Sequence, residues 1–180
     1  HDRIFDHMML DGLEDAYEAG RSMGTFGEDC AAKYNFTRDA QDKFAMASVR
    51  RAQDAIKNGA FKDEIAPVTV KDRKGERVVD TDEGPGKINI DKIPTLKPAF
   101  KKDGTVTAAA SSSINDGAAA MVMMRESTAK KLGVKPLARI VSHATHAQEP
   151  EWFSTAPIGA TEKALEKAGW KVDDVELWEI

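Results

Sequence analysis

The sequence predicts an α/β fold in which a mostly helical part with one β-hairpin precedes a part where strands and helices alternate. Three observations predict this fold class. Apolar residues between 40 and 56 recur at helical spacing. Two strand-like runs flank a polar turn at residues 71–75. Residues 118–124 form an uninterrupted apolar run, which is typical of a strand buried on both faces.

Helices are predicted at two places in the first part. Leu10, Leu13 and Tyr17 stand at helical spacing, so a helix is expected there. Thr37 has the chemistry of an N-cap, and Asn58-Gly59 supplies the residues that end a helix. The spacing therefore predicts a long helix between these two signals.

The hairpin and the segment after it complete the first part. Residues 64–70 and 76–79 are predicted strands, joined by the turn at 71–75. Residues 81–104 are rich in Pro, Gly, Lys and Asp, which predicts a long connection or a functional loop. We expect a domain boundary in this segment.

After Gly104 the chain changes character. Residues 105–110 are small and β-prone, and turn residues follow them. Predicted strands and helices then alternate, in the order 118–124 (strand), 127–132 (helix), 137–142 (strand), 157–168 (helix) and 175–180 (strand). Because the last predicted strand reaches the final residue, we expect the chain to be part of a longer one.

Composition excludes several classes of protein. The 180 residues are 41% hydrophobic and 31% charged, which suits a globular protein. The 26 basic and 30 acidic residues give a net charge of -4, so a general nucleic-acid binder is not expected. No apolar run approaches the roughly 20 residues of a membrane helix. Cys30 is the single cysteine, which forbids an internal disulfide and favours a reducing, cytoplasmic location.

Motifs along almost the whole chain, in order, resemble the thiolase family. The matching segments are Asp11-Gly12-Leu13, Met23-Gly24-Thr25, Arg38-Asp39-Ala40-Gln41-Asp42, Phe61-Lys62-Asp63-Glu64-Ile65, Lys97-Pro98-Ala99-Phe100, Gly104-Thr105-Val106-Thr107-Ala108, Asn115-Asp116-Gly117-Ala118-Ala119-Ala120, Arg139-Ile140-Val141-Ser142 and Ala168-Gly169-Trp170. The resemblance implies an incomplete thiolase-like fold with parts of two βαβ-type core domains. Residues 1–104 would be the loop domain that covers CoA and helps subunits associate. Residues 105–126 would end the N-terminal core domain, and 127–180 would begin the C-terminal one.

The resemblance also implies an activity. Thiolases condense two acetyl-CoA molecules, or thiolyse 3-ketoacyl-CoA, through an acyl-cysteine. That chemistry needs a nucleophilic thiolate, a His that activates it, a second Cys that moves a proton, and donors for the oxyanion. By the resemblance all of these lie outside the 180 residues, so no catalytic residue is assigned and the segment alone is expected to be inactive.

The resemblance further implies what the protein binds. The substrates would be acetyl-CoA or 3-ketoacyl-CoA, with no permanently bound cofactor or metal. The full-length protein would be a homodimer or homotetramer with no nucleic-acid or membrane partner. Two alternatives stay open, namely a non-catalytic CoA-binding or assembly module and a carrier-type thiolase relative.

Nine residues carried over by position form the CoA site that the resemblance implies. Those at the pantetheine channel are Leu13, Met23, Ser112 and Ser142, and those near the adenosine 3′-phosphate and adenine are Lys87, Ile88, Asn89, Lys92 and Lys97. CoA is polyanionic at one end and narrow and amide-bearing at the other, which suits lysines at a rim and hydroxyls along a tunnel. Ser22 and Ala110 depart from residues common in the family, His and Asn respectively.

Other reactive-looking residues have simpler interpretations. Cys30 sits beside two acids, a setting that does not activate a thiol, so a structural thiol is favoured. His143 and His146 lack a third ligand for zinc. Residues 111–113 are three serines without a His-Asp context, and residues 84–87 lack the glycine and hydroxyl of a phosphate loop.

Overall fold

Two helices organise the first unit of the chain, His1–Ser112, in a computed structural model that describes residues 3–73 and 75–180. Helix α1 spans Gly24–Lys33 and helix α2 spans Arg38–Lys57. The Thr37 hydroxyl accepts a hydrogen bond of 3.2 Å from the backbone N–H in the first turn of α2. Gly59 follows the end of α2 with a φ of 68°, a left-handed conformation that suits glycine. Both predicted ends of this helix are confirmed.

The helix predicted through Leu10, Leu13 and Tyr17 is wrong in extent. The structure has a single π-helical turn at Met9–Leu13, and Tyr17 lies beyond it with 82% of its surface exposed. Glu14 instead forms an isolated antiparallel bridge with Ser22. This bridge turns the chain back on itself, so a straight helix through Tyr17 cannot form.

The predicted hairpin is confirmed, with shifted limits. Strand β1 is Val68–Asp72 and strand β2 is Gly75–Val79; they pair antiparallel with Val68 opposite Val79. Residues 61–64 are a turn after α2, so β1 begins later than the predicted residue 64. Part of the predicted turn, residue 74, lies outside the described residues.

The connection after the hairpin contains short helical turns. Helix α3 is Glu83–Gly86, and Ile90–Thr95 and Ala108–Ala110 are 3-10 turns. Pro98 bridges Thr107 in an isolated antiparallel pair. The side chain of Ile93 is only 1% exposed and belongs to the core of this unit, together with Phe26, Ala31 and Ala45. The core thus lies where α1 and α2 meet the connection.

The second unit, Ser113–Ile180, contains two helices. Helix α4 is Glu126–Leu132 and helix α5 is Ala156–Ala168, while Pro150–Thr155 and Val172–Asp174 are 3-10 turns. Both helices end at a glycine with positive φ, Gly133 at 66° and Gly169 at 68°. Both predicted helices of this part are confirmed.

The prediction of three strands in the second part is wrong, because the described residues form no strand there. Among the described residues, β1 and β2 form the only sheet, and residues 118–124, 137–142 and 175–180 make no ladder. A strand is stabilised by hydrogen bonds to a neighbouring strand, and no such neighbour lies beside these segments in the described part of the chain. Their apolar side chains are accordingly exposed, as with Val122 at 88% and Leu177 at 85%.

The helices and the hairpin together confirm the predicted α/β class. The predicted limits of the loop and core domains, 1–104, 105–126 and 127–180, stay a prediction. Within residues 3–73 and 75–180, no helix has both the length and the apolar character to cross a membrane.

Candidate functional site

Two residues predicted to flank the pantetheine channel lie side by side. The backbone N–H of Met23 donates to the carbonyl of Leu13 at 2.8 Å, and both side chains are half-buried. The next residue, Gly24, lies against the ring of Phe100, where an added Cβ would come within 2.1 Å of a ring carbon. A side chain larger than hydrogen therefore cannot occupy position 24 without moving Phe100.

Lys87 forms an exposed ion pair within the connection. Its Nζ lies 3.1 Å from a carboxylate oxygen of Glu83. The hydrogen bond and the charge of Lys87, followed by the charge of Arg77, hold the pKa of Glu83 below its ordinary value. Lys87 therefore carries a compensated charge, and an incoming phosphate would compete with Glu83 for it.

The other predicted nucleotide-end residues lie along the same connection. The Asn89 side chain accepts from the Asp91 backbone N–H at 3.0 Å and so begins the Ile90–Thr95 turn. Ile88 is 41% exposed. Lys92 and Lys97 are exposed and form no ion pair with a described residue. Lys92 and Lys97 thus stand on one ordered stretch of backbone with no described carboxylate to compensate their charges.

Side chains of α2 hold this connection. Gln53 donates to the Pro85 carbonyl at 2.8 Å, and Gln41 donates to the Thr105 hydroxyl at 2.9 Å. Arg38 donates to the Leu96 carbonyl at 2.8 Å. Arg38 and Gln41 belong to the motif at 38–42 that carries part of the family resemblance, but the sequence predicted none of these three contacts. Polar residues on the otherwise apolar face of α2 were the signal that could have revealed them.

Glu28 of α1 is a buried acid that sequence reasoning also missed. Its side chain is 6% exposed, and its carboxylate accepts from the backbone N–H groups of Thr105, at 2.8 Å, and Val106, at 2.9 Å. A Cβ on Gly104 would lie 2.1 Å from this carboxylate. The close approach explains why glycine suits position 104.

The two predicted serines have different surroundings. Ser112 is exposed at the end of the first unit. Ser142 belongs to the second unit and is half-buried, with its hydroxyl donating to the Ala164 carbonyl of α5 at 2.7 Å. That bond uses the only hydroxyl proton of Ser142, so the oxygen is left to act as an acceptor.

The remaining reactive-looking residues make ordinary contacts. Cys30 is a half-buried free thiol on α1. His146 packs against Gly159 of α5, where a Cβ would lie 2.7 Å from the imidazole ring. The Ser22 hydroxyl accepts from Gly24 N–H at 3.3 Å, and Ala110 is exposed. In the described part of the chain, no group of three or more His, Cys, Asp or Glu side chains could hold a metal.

Family models match nearly all of this chain. The model described as thiolase, N-terminal domain, matches residues 1–127, and the model described as thiolase, C-terminal domain, matches residues 134–180. The chain belongs to the thiolase family. The predicted family resemblance is thereby confirmed.

Relatives of this thiolase chain are longer proteins. A probable acetyl-CoA acetyltransferase of Dictyostelium discoideum is 52% identical over 178 residues, which are 98% of this chain and 43% of the relative. An acetyl-CoA acetyltransferase of Shinella zoogloeoides is 48% identical over 181 residues, covering 98% of this chain and 45% of the relative. The thiolase chain therefore spans less than half the length of these curated relatives.

Solved structures agree with the family assignment. The acetyl-CoA acetyltransferase of Bacillus anthracis superposes with a TM-score of 0.88 at 40% identity, over 98% of this chain and 45% of that one. The enzyme of the same name from Syntrophomonas wolfei gives a TM-score of 0.86 at 35% identity, over 99% of this chain and 45% of that one. The predicted incomplete thiolase-like fold is confirmed.

Proposed function

We propose that this thiolase chain is a segment of an acetyl-CoA C-acetyltransferase. The whole protein condenses two acetyl-CoA molecules, or thiolyses 3-ketoacyl-CoA, through an acyl-cysteine. The observation that carries the proposal is the 52% identity over 178 residues with a relative named as a probable acetyl-CoA acetyltransferase. The catalytic Cys and His lie outside the chain, so the 180 residues alone are inactive.

The chain contributes elements that hold coenzyme A, which is a substrate and not a permanently bound cofactor. Leu13 and Met23 support this assignment because both have half-buried apolar side chains and their backbones are hydrogen-bonded, a pairing suited to the narrow pantetheine arm. Lys92 and Lys97 support it because their charges are not used by a described carboxylate. Uncompensated lysines attract the phosphates of CoA.

The serines take the pantetheine amides in this proposal. Ser142 already donates its proton to the Ala164 carbonyl, so it accepts a hydrogen bond from a pantetheine N–H. Ser112 is exposed and has no comparable restriction. Ile88 and Asn89 lie along the adenine, and Lys87 exchanges Glu83 for a phosphate.

The assembly is a homodimer or homotetramer of the full-length protein, with residues 1–104 as the loop domain that covers CoA. Exposed apolar side chains near the start of the chain support subunit association, among them Phe5 at 64% and Tyr17 at 82% exposure. A cytoplasmic location belongs to the same proposal. Light scattering of the full-length protein tests the assembly, and a monomer at micromolar concentration would contradict it.

The activity is tested with the full-length protein that carries this chain. Thiolysis of acetoacetyl-CoA is followed by the loss of its enolate absorbance. Lys92→Gln and Lys97→Gln should each raise the KM for CoA about fivefold, the loss expected for an exposed charge pair of ~1 kcal/mol. Lys135→Gln, an exposed lysine of the second unit, is the matched control.

Two outcomes separate the candidate functions. Turnover of acetoacetyl-CoA supports the acetyltransferase. CoA binding that falls with salt, without any turnover, would instead support the non-catalytic CoA-binding module. Unchanged KM values in both lysine variants would remove those lysines from the site.

A further inference from the structure

Arg38 joins the start of α2 to the lysine-bearing connection. Its Nε donates to both carboxylate oxygens of Asp42, at 2.9 and 2.8 Å. Its Nη2 donates to the carbonyls of Leu96, at 2.8 Å, and Ile93, at 3.3 Å. Asp42 is only 6% exposed. One guanidinium therefore links a buried carboxylate of the helix to backbone across 55 and 58 residues of sequence.

Arg38 adds to the hydrogen bonding of these two carbonyls. The Ile93 carbonyl also accepts from the Leu96 backbone N–H at 3.2 Å, and the donor to the Leu96 carbonyl is Arg38. The last carbonyls of a helical turn have no partner within the turn. Pro94 also removes one of the few backbone N–H groups nearby. A planar guanidinium can reach the carboxylate and the carbonyls together, and we call this set of hydrogen bonds from Arg38 the fork. The single ammonium group of a lysine cannot reproduce it.

The anchored carbonyls stand next to Lys92 and Lys97 in the sequence. Ile93 follows Lys92 and is 1% exposed, so this point of the backbone is fixed in the core. Leu96 precedes Lys97. The path of the backbone at these two points decides where the two lysine side chains begin.

We propose that Arg38 and Asp42 are positioning residues for the nucleotide end of coenzyme A. By holding the Ile93 and Leu96 carbonyls they place Lys92 and Lys97 for the phosphates of CoA, without touching CoA themselves. This inference rests on the proposed function, in which those lysines bind the nucleotide. Loss of the fork lets the connection move, so binding of the phosphorylated adenosine weakens while the thiol chemistry is unchanged.

A purely structural role predicts a different result. If the fork only stabilised the fold, its loss would affect every substrate equally. If it positions the lysines, the effect falls on CoA and spares pantetheine, which reacts through the same thiol but lacks the nucleotide and its phosphates. The comparison of these two thiol acceptors therefore separates positioning from stability.

The experiment uses the full-length protein with acetoacetyl-CoA and either CoA or pantetheine as acceptor. Arg38→Lys should raise the KM for CoA about tenfold, leave kcat within about twofold, and leave kcat/KM for pantetheine within about twofold. Arg51→Lys is the matched control, because Arg51 is an exposed arginine of the same helix. An equal loss with both acceptors, or no loss with CoA, would overturn the proposal.

Two further measurements keep the outcome decisive. Asp42→Asn is measured in the same way if Arg38→Lys does not fold, and calorimetric binding of adenosine 3′,5′-bisphosphate should weaken in either variant. Failure of the proposed function has its own signature: the unsubstituted protein shows no thiolysis, or Lys92→Gln and Lys97→Gln leave the KM for CoA unchanged. An Arg38 variant that behaves like the unsubstituted protein, with the lysine variants impaired, overturns the positioning role alone.

Discussion

Replacing Glu28 by Ala removes a buried acceptor of the backbone N–H groups of Thr105 and Val106. The carboxylate accepts from Thr105 N–H at 3.0 and 2.8 Å and from Val106 N–H at 2.9 Å. The Thr105 hydroxyl adds a longer bond of 3.3 Å. The substitution takes away the acceptor that α1 supplies to these two half-buried N–H groups.

The expected cost follows from the groups left behind. A buried donor without a partner costs about 1–3 kcal/mol, and two half-buried N–H groups at the lower end give about 2 kcal/mol. Glu28→Gln should cost about 1 kcal/mol, since one amide oxygen can still accept from both N–H groups but the charge is lost. The difference between the two variants isolates the backbone bonds from the charge.

Amide hydrogen exchange of the peptide containing Thr105 and Val106 measures this cost locally. A loss of about 2 kcal/mol corresponds to exchange that is roughly 30-fold faster at those two amides. Glu64→Gln is the control, because Glu64 is an exposed carboxylate of the same unit. Unchanged protection in Glu28→Ala would refute the view that this carboxylate holds the connection.

Local changes elsewhere have equally defined outcomes. Thr37→Ala should destabilise α2 by about 1 kcal/mol through loss of its cap, and an unchanged urea midpoint would contradict this. Gly159→Ala should destabilise α5 by steric conflict with His146, although alanine has the better helix propensity. In a double-mutant cycle, His146→Ala should restore the stability lost in Gly159→Ala, and purely additive effects would exclude the conflict. Because the pKa of Glu83 is lowered, its ion pair with Lys87 contributes fully to stability at pH values above the ordinary carboxyl pKa of 4.5. This contribution is lost as the pH falls through the lowered pKa of Glu83. Lys87→Met should therefore raise the Glu83 pKa in an NMR titration, and an unmoved titration would contradict the pairing.

The sequence predicted the parts of the fold that depend on neighbours within one or two turns. Thr37 begins α2, and Gly133 and Gly169 end α4 and α5, because a cap is made by residues a few positions apart. The hairpin followed in the same way from its two short strand-like runs. The family motifs also lie within short segments, which is why an ordered series of them sufficed for a correct family prediction.

Other features depended on partners distant in sequence. Residues 118–124 have the composition of a buried strand, yet composition does not supply the neighbouring strand that a ladder requires. Tyr17 kept the helical spacing, but the bridge between Glu14 and Ser22 turned the chain before it. In both cases the sequence pattern had the expected periodicity or composition. The structure was decided by long-range pairing, which the segment 118–124 lacks among the described residues and which Glu14 and Ser22 form.

The candidate site shows the same division between what the sequence predicts and what long-range contacts decide. The sequence by itself determined which residues are available, including Lys92 and Lys97 on a polar connection. Only the tertiary structure showed that Arg38 holds that connection, that Glu28 binds backbone 77 residues away, and that Leu13 meets Met23. The physical reason is that such a side chain bonds to a backbone carbonyl, which every residue type offers, or to an N–H, which every type except proline offers. The partner therefore leaves no mark in the sequence.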